Sequence, residues 1–154
     1  WKLPLIAAYA RYKSHRECSS LTLFPKVGGL LGHISESGVS LAIVTSNSHA
    51  TVRRVLGDEI LSRIDEVECG SSLFGKAKKL ERLLRRMRVD PHEAVYIGDE
   101  IRDCDAARKV GMAFAAVAWG YTRAQALADC APDHMLVDVS DLRCFARTAS
   151  MLHN

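Results

Sequence analysis

Three short strings carry side chains able to act on a charged ligand: Thr45-Ser46-Asn47, Lys76, and Gly98-Asp99-Glu100-Ile101-Arg102-Asp103. The first offers a hydroxyl and then backbone amides at the expected start of a helix, where unpaired N–H groups and the helix dipole favour a phosphate. Helix capping alone accounts for the same residue types. Lys76 opens a leucine-rich helix, a place where a cation opposes the dipole and therefore suggests another duty. It could reach an anion at the same edge; a solvated surface lysine is the alternative, and Lys78 or Lys79 could serve instead. In the third string two carboxylates, Asp99 and Asp103, stand four residues apart just after an apolar run. They offer the hard oxygen ligands that magnesium takes, with waters and a phosphate completing an octahedron. Otherwise Asp103 caps a helix and Asp99 sits in a turn.

The elements that must position these residues alternate in type. Leu41 to Val44 is a continuous apolar run, which reads as a buried parallel strand ending on the polar string Thr45, Ser46, Asn47 and Ser48. Ala94 to Ile97 delivers Gly98 and Asp99 in the same way, and Ala113 to Trp119 forms a third strand. Ile64 to Cys69 and Met135 to Val137 are weaker strand candidates. Helices are expected where apolar residues recur at three and four positions: Leu30, Leu31 and Ile34 closing at Gly38; Ala50 to Leu56, capped by Asn47 or Ser48; and Lys76 to Met87 with Leu80, Leu83, Leu84 and Met87 inward. Further helices are expected from Arg102 to Val110 ending at Gly111, from a capping box at Thr122 and Gln125 towards Cys130, and around Leu142, Phe145, Ala146 and Ala149. Trp1 to Lys13 also shows helical spacing through Leu3, Leu5, Ile6, Tyr9 and Tyr12, followed by a polar linker to Leu21. Strands alternating with helices over short connections imply an α/β fold, a Rossmann-like parallel sheet with helices on both faces. Ligands of such sheets bind beyond the carboxyl ends of the strands, where all three strings fall.

With 154 residues, 48% hydrophobic and 25% charged, the chain can bury one sizeable core. The formal charge of +3 is mild and the cations are mixed with acids, which argues against nucleic acid as a partner. Arg82, Arg85, Arg86 and Arg88 read as a solvated helix face, with anion binding as the alternative. Cys18, Cys69, Cys104, Cys130 and Cys144 are widely spaced without a C-x-x-C pair, which suits reduced thiols in the cytoplasm. No apolar run approaches the roughly 20 residues that span a bilayer, so no membrane partner is expected. Position 1 is Trp, which raises the expectation that the natural product begins further upstream.

From Thr22 to about Leu142 these strings, in this order and spacing, resemble the haloacid dehalogenase-like hydrolase superfamily, in its phosphoglycolate phosphatase-like branch. Ile43-Val44-Thr45-Ser46-Asn47 is similar to that family's second motif, Lys76 falls at the third, and Gly98-Asp99 to Asp103 resembles the fourth in its G-D-x-x-x-D form. The resemblance implies a magnesium-dependent phosphatase of small phosphorylated metabolites. Thr45, Ser46 and Asn47 would hold phosphate oxygens, Lys76 would neutralise charge, Asp99 would bind Mg2+, and Asp103 would support the metal directly or through water. Phosphomutase or dehalogenase chemistry on the same scaffold is an alternative, and the Asp99 and Asp103 pair disfavours the metal-free dehalogenase. A non-catalytic phosphate-binding or regulatory module is another.

One part of the pattern is not found. The family's D-x-D-G-T motif, which supplies the aspartate nucleophile, has no counterpart here, and the acids before Thr45 are Glu17 and Glu36. Residues 1–21 then read as the remnant of a helical cap and its linker, and residues 22–154 as the core domain with its central first strand and most of the cap missing. Without a carboxylate nucleophile the chain alone is expected to be inactive. A central gap is expected to be filled by a complementing N-terminal segment, by a segment of a second copy, or by direct pairing of its two neighbours.

Overall fold

The structure, a computed structural model, describes residues 5–7 as backbone and residues 22–70 and 75–146 in full. Among them six strands form one parallel sheet: β1 (Leu5–Ala7), β2 (Leu41–Val44), β3 (Glu66–Glu68), β4 (Val95–Gly98), β5 (Ala113–Val117) and β6 (His134–Leu136). Their spatial order is β3-β2-β1-β4-β5-β6, so the chain winds outward in both directions from β1. That reversal of direction is the switch point at which doubly wound sheets hold their ligands. The helices are α1 (Val27–Glu36), α2 (His49–Leu61), α3 (Gly75–Met87), α4 (Ile101–Val110) and α5 (Ala124–Ala128), with 3-10 turns at Pro91–Glu93 and Val139–Leu142.

All four residues of β2 and of β4 are buried, as their uninterrupted apolar character requires when helices cover both faces. Side chains alternate across each strand and therefore feed two cores. Ala42, Val44, Tyr96, Phe114 and Ala116 pack with Leu80, Leu83 and Leu84 of α3 on one face. Leu41, Val95, Ile97, Ala115 and Val117 pack with Leu30, Leu31 and Ile34 of α1 on the other. The helix ends follow the glycines: Gly38, just past α1, and Gly111, just past α4, both adopt the left-handed backbone. None of the described helices is long and apolar enough to cross a membrane.

Two expectations are corrected. Leu5–Ala7 is a strand, although Trp1 to Lys13 shows helical spacing. It lies between β2 and β4, with Leu5 opposite Leu41 and Val95, and Ala7 opposite Ile43 and Ile97. The central position, expected to be filled by another segment or closed by pairing of β2 with β4, is thus taken by the chain's own backbone, because β2 and β4 each present a row of N–H and C=O groups there that need partners. It is not the carboxylate-bearing strand of the family pattern, since no acid precedes Glu17. The remaining residues assigned to the cap remnant and linker lie outside the described residues, as does Ala149. Secondly, α5 is not opened by a Thr122 capping box: its N-cap is Arg123, which makes no side-chain cap. The Thr122 N–H instead donates to the Asp99 carbonyl at 3.2 Å.

Candidate active site

Thr45 follows β2 and is only 4% exposed. Its N–H donates to the Glu68 carbonyl at 2.9 Å, extending the ladder with β3, and its hydroxyl accepts from the Asn47 N–H at 3.1 Å. Thr45 and Ser46 line a cavity of about 470 Å³ together with Gly70, Lys76, Lys79 and Arg102. The helix begins at His49, one residue before the expected Ala50, and uses one of the two expected caps. Ser48 is the N-cap of α2, accepting from the Thr51 N–H at 3.2 Å, so Ser46 and Asn47 belong to the turn before it. The Asn47 amide already serves the Thr45 hydroxyl, while exposed Ser46 makes no hydrogen bond among the described residues and is the available donor of the turn.

Lys76, in the first turn of α3, reaches across to α4. Its ammonium pairs with the Asp103 carboxylate and lies 3.4 Å from Glu100 Oε2. Asp103 is 1% exposed. Its Oδ1 also accepts from the Tyr96 hydroxyl at 3.3 Å, and its Oδ2 accepts from the Glu100 N–H at 3.2 Å. Burial raises the pKa of Asp103, and the Lys76 ammonium offsets part of that rise. Tyr96 is raised well above its ordinary value by burial and by the neighbouring Asp103 charge. Burial also pushes Glu100 upward, but hydrogen bonding from Arg102 and the charge of Lys76 outweigh it, and the net shift is downward.

Asp99 turns the other way, towards the loop after β5. Its Oδ2 accepts from the Tyr121 N–H at 2.6 Å. The approach is so close that a Cβ on Gly120 would stand 2.0 Å from the Asp99 Cβ, and one on Gly98 would stand 2.6 Å from Asp103 Oδ2. Both glycines are therefore required by the carboxylates beside them.

The fold thus gathers Thr45, Ser46, Lys76 and Asp103 at one rim, with Asp99 at the end of the same strand that leads to Asp103. The metal expectation divides. Both oxygens of Asp103 accept hydrogen bonds, from Lys76, Tyr96 and the Glu100 amide, so in this structure Asp103 braces the lysine. Asp99 retains Oδ1 as a hard oxygen donor suited to magnesium. Among the described residues no group of three or more His, Cys, Asp or Glu side chains converges on one point. A divalent ion held by Asp99 would complete its shell with oxygens from elsewhere.

Sequence reasoning passed over three contributors, Tyr96, Gly120 and Tyr121, and named a fourth, Lys79, only as an alternative to Lys76. Tyr96 is a lone polar tip within the aliphatic run of β4, Gly120 and Tyr121 follow an apolar strand as Gly98 and Asp99 do, and Lys79 sits one helical turn beyond Lys76. Lys79 does not substitute for Lys76. It is 4% exposed, and its ammonium donates to the carbonyls of Thr45 at 2.9 Å, Cys69 at 3.3 Å, and Gly70.

The family profile described as "Haloacid dehalogenase-like hydrolase" matches residues 2–117. A phosphoglycolate phosphatase of Synechococcus elongatus is 36% identical over 80% of this chain and 58% of its own length. The tyrosine-protein kinase PtkA of Mycobacterium tuberculosis is 35% identical over 77% of this chain and 42% of its own. The chain therefore spans about half the length of these two curated relatives. Among solved structures, a haloacid dehalogenase-like hydrolase of Streptococcus pneumoniae superposes with a TM-score of 0.75 at 25% identity, covering 84% of this chain and 62% of that one. With three quarters of its length matched by the profile and the same α/β architecture in its structural relatives, the chain belongs to the haloacid dehalogenase-like hydrolase family.

Proposed function

We propose that this chain carries the phosphate-holding and charge-stabilising portion of a phosphatase acting on small phosphomonoesters. The observation that carries the reading is the cavity in which Thr45, Ser46 and Lys76 meet, with the lysine braced by buried Asp103. An anion there would take hydrogen bonds from the Thr45 hydroxyl and the Ser46 amide and the charge of Lys76. Such fixed donors supply much of the catalysis of phosphoryl transfer, which depends on positioning and on stabilising the charge of the transferred group. Asp99 would hold Mg2+ through its free oxygen, and the ion would shield phosphate charge. The names of relatives such as phosphoglycolate phosphatase support a small phosphorylated metabolite as substrate, in a reducing cytoplasm.

Covalent transfer through an aspartyl-phosphate needs a nucleophile aligned with phosphorus. The central strand of this chain, Leu-Ile-Ala, has no carboxylate. The chain alone is accordingly inactive in this reading. The nucleophile arrives on a complementing N-terminal segment or a second copy, whose strand takes the central position now held by β1. The test is an aryl phosphate assay with magnesium on the chain joined to a segment bearing the D-x-D motif. Turnover that is lost in Asp99→Ala and Thr45→Ala supports the reading, and the absence of any Asp99-dependent turnover refutes it.

The carboxylate-free central strand favours a second reading, a phosphate-binding module without catalysis. It is supported if the chain binds inorganic phosphate at Ser46 and the joined protein still shows no turnover.

A further inference from the structure

We infer that Lys79 is a positioning residue of the anion site: its buried ammonium clamps the carbonyls of Thr45, Cys69 and Gly70 and so fixes the turn that receives the phosphoryl group. This inference rests on the phosphate reading of that turn, but it is separable from it.

An ammonium has three donors and no acceptor. In Lys79 the three fall on three carbonyls, Thr45 beyond β2 and Cys69 and Gly70 beyond β3. The two strand ends are therefore tied to one point on α3. The Gly70 N–H closes the same knot by donating to the Asn47 carbonyl at 2.8 Å, and the Asn47 N–H donates to the Thr45 hydroxyl. Lys79 is thereby linked to both ends of the Thr45-Ser46-Asn47 turn without standing in it.

The arrangement is costly if its only end is stability. Burying a charge is expensive unless it is paired, and among the described residues no carboxylate forms an ion pair with Lys79. Burial accordingly lowers its pKa. Neutral side chains could bridge the same carbonyls more cheaply. A cation whose donors are spent on carbonyls has one further property, a positive charge at the wall of the cavity that Thr45 and Ser46 also line, answered by the field of Glu68 but by no direct ion pair among the described residues. An oxyanion entering that cavity adds a second negative charge to the field of Lys79. Lys79 thus acts on the anion through the turn and through the field, while Lys76 is the lysine placed to touch it.

The test is a titration of inorganic phosphate into the complete 154-residue chain, followed through the backbone amide resonances of Thr45, Ser46 and Asn47, in the wild type, Lys79→Met and Lys79→Arg. Hydrogen exchange of the Gly70 amide is measured alongside without phosphate. In Lys79→Met the half-saturating phosphate concentration should rise by at least about tenfold, the size of one lost charge-assisted hydrogen bond, and the Gly70 amide should exchange faster. Lys79→Arg, whose larger head can extend into the adjoining cavity, should stay within about threefold of wild type, well under the tenfold that one such bond is worth. Wild-type behaviour in Lys79→Met overturns the inference, and so does a loss in Lys79→Arg as large as that in Lys79→Met. Should Lys79→Met not fold, Lys79→Arg decides alone: near-wild-type binding supports the clamp and a loss of about tenfold or more refutes it. If the wild type itself does not respond to phosphate, the phosphate reading fails. The clamp then stands or falls on whether Gly70 exchange accelerates in Lys79→Met and is restored in Lys79→Arg.

Discussion

The two faces of the sheet are built from similar apolar residues yet differ in what they support. Behind α1 the core of Ile34, Leu41, Val95, Ile97 and Val117 is aliphatic, and its charged tie is the surface pair of Arg63 with Glu36 at 2.6 Å. Behind α3 and α4 the core of Leu80, Leu83, Tyr96 and Phe114 runs without a break into the site. Tyr96 is a core ring whose hydroxyl touches Asp103, and α3 buries Leu80 and Leu83 on the helix that also carries Lys76 and Lys79. Packing and chemistry share side chains on one face and are separate on the other. A change in the α3 core should therefore reach the site, whereas an equal change in the α1 core should be felt as stability alone.

The largest effects test that asymmetry directly. Ile34→Ala and Leu83→Ala each remove a fully buried branched side chain and should each lower the unfolding free energy by about 2–5 kcal/mol in urea titrations. Their phosphate responses should differ. At temperatures where both remain folded, the Ser46 amide should respond as in the wild type in Ile34→Ala and more weakly in Leu83→Ala. Equal weakening in both would break the distinction between the faces.

Next in size is Gly120→Ala. The added methyl would fall 2.0 Å from the Asp99 Cβ, so either the loop or Asp99 must move, at a cost of about 1–3 kcal/mol for an overpacked site. The Tyr121 amide should lose its bond to Asp99, which is read as an upfield resonance shift and faster exchange. A Tyr121 amide unchanged in Gly120→Ala would mean that the loop after β5 is not built around Asp99.

Much of this was legible in the sequence because it is written in uninterrupted apolar runs. Leu41–Val44 and Ala113–Val117 admit no reading but a doubly covered strand, and the polar residues that follow must then lie at the carboxyl edge. The three-residue β1 was not legible. Leu5, Ile6 and Tyr9 fit a helical spacing as well as a short strand, and the deciding factor is the pairing demand of β2 and β4, which lie 36 and 90 residues further on in the register. The spacing of Asp103 from Asp99 does not reveal that Lys76 and Tyr96 also converge on Asp103. Thr122 has the residue type of a cap, but its amide is drawn to the Asp99 carbonyl by the fold of the site loop. In each case local pattern lost to a contact made across the sheet.

Tyr96→Phe isolates the link between core and site at smaller cost. Removing a hydroxyl that donates to a buried carboxylate should cost about 1–2 kcal/mol, with the ring packing against Phe114 at 6.3 Å between centroids left in place. Asp103 loses a donor to its charged form, so Lys76 carries more of its neutralisation. The pairing is checked by the phosphate concentration that half-saturates the Ser46 response, which should change in Tyr96→Phe although no atom is removed from the cavity wall. A variant that is less stable but binds phosphate like the wild type would show that the α3 core and the site are coupled only through Lys79.

The smallest effect lies on the outer edge of the same face, where Glu68 of β3 pairs with Arg82 at 2.6 Å and Arg86 at 2.8 Å. Burial pushes Glu68 upward, but the two guanidinium groups outweigh it and its pKa falls below the ordinary 4.5. A carboxylate whose pKa is lowered on folding adds stability that is present above its unfolded value and is lost as the pH falls through the folded one. Glu68→Gln should therefore destabilise the chain by under about 1 kcal/mol at neutral pH, as expected of partly exposed pairs. The difference should shrink on acidification below 4.5 and close once the wild-type carboxylate is protonated as well. Because these pairs face solvent, about 1 M salt should also remove most of the difference. If the gap between wild type and Glu68→Gln widened on acidification, Glu68 would be acting through packing and not through charge. The arginine face of α3 would then be fixed to β3 by its methylene stems.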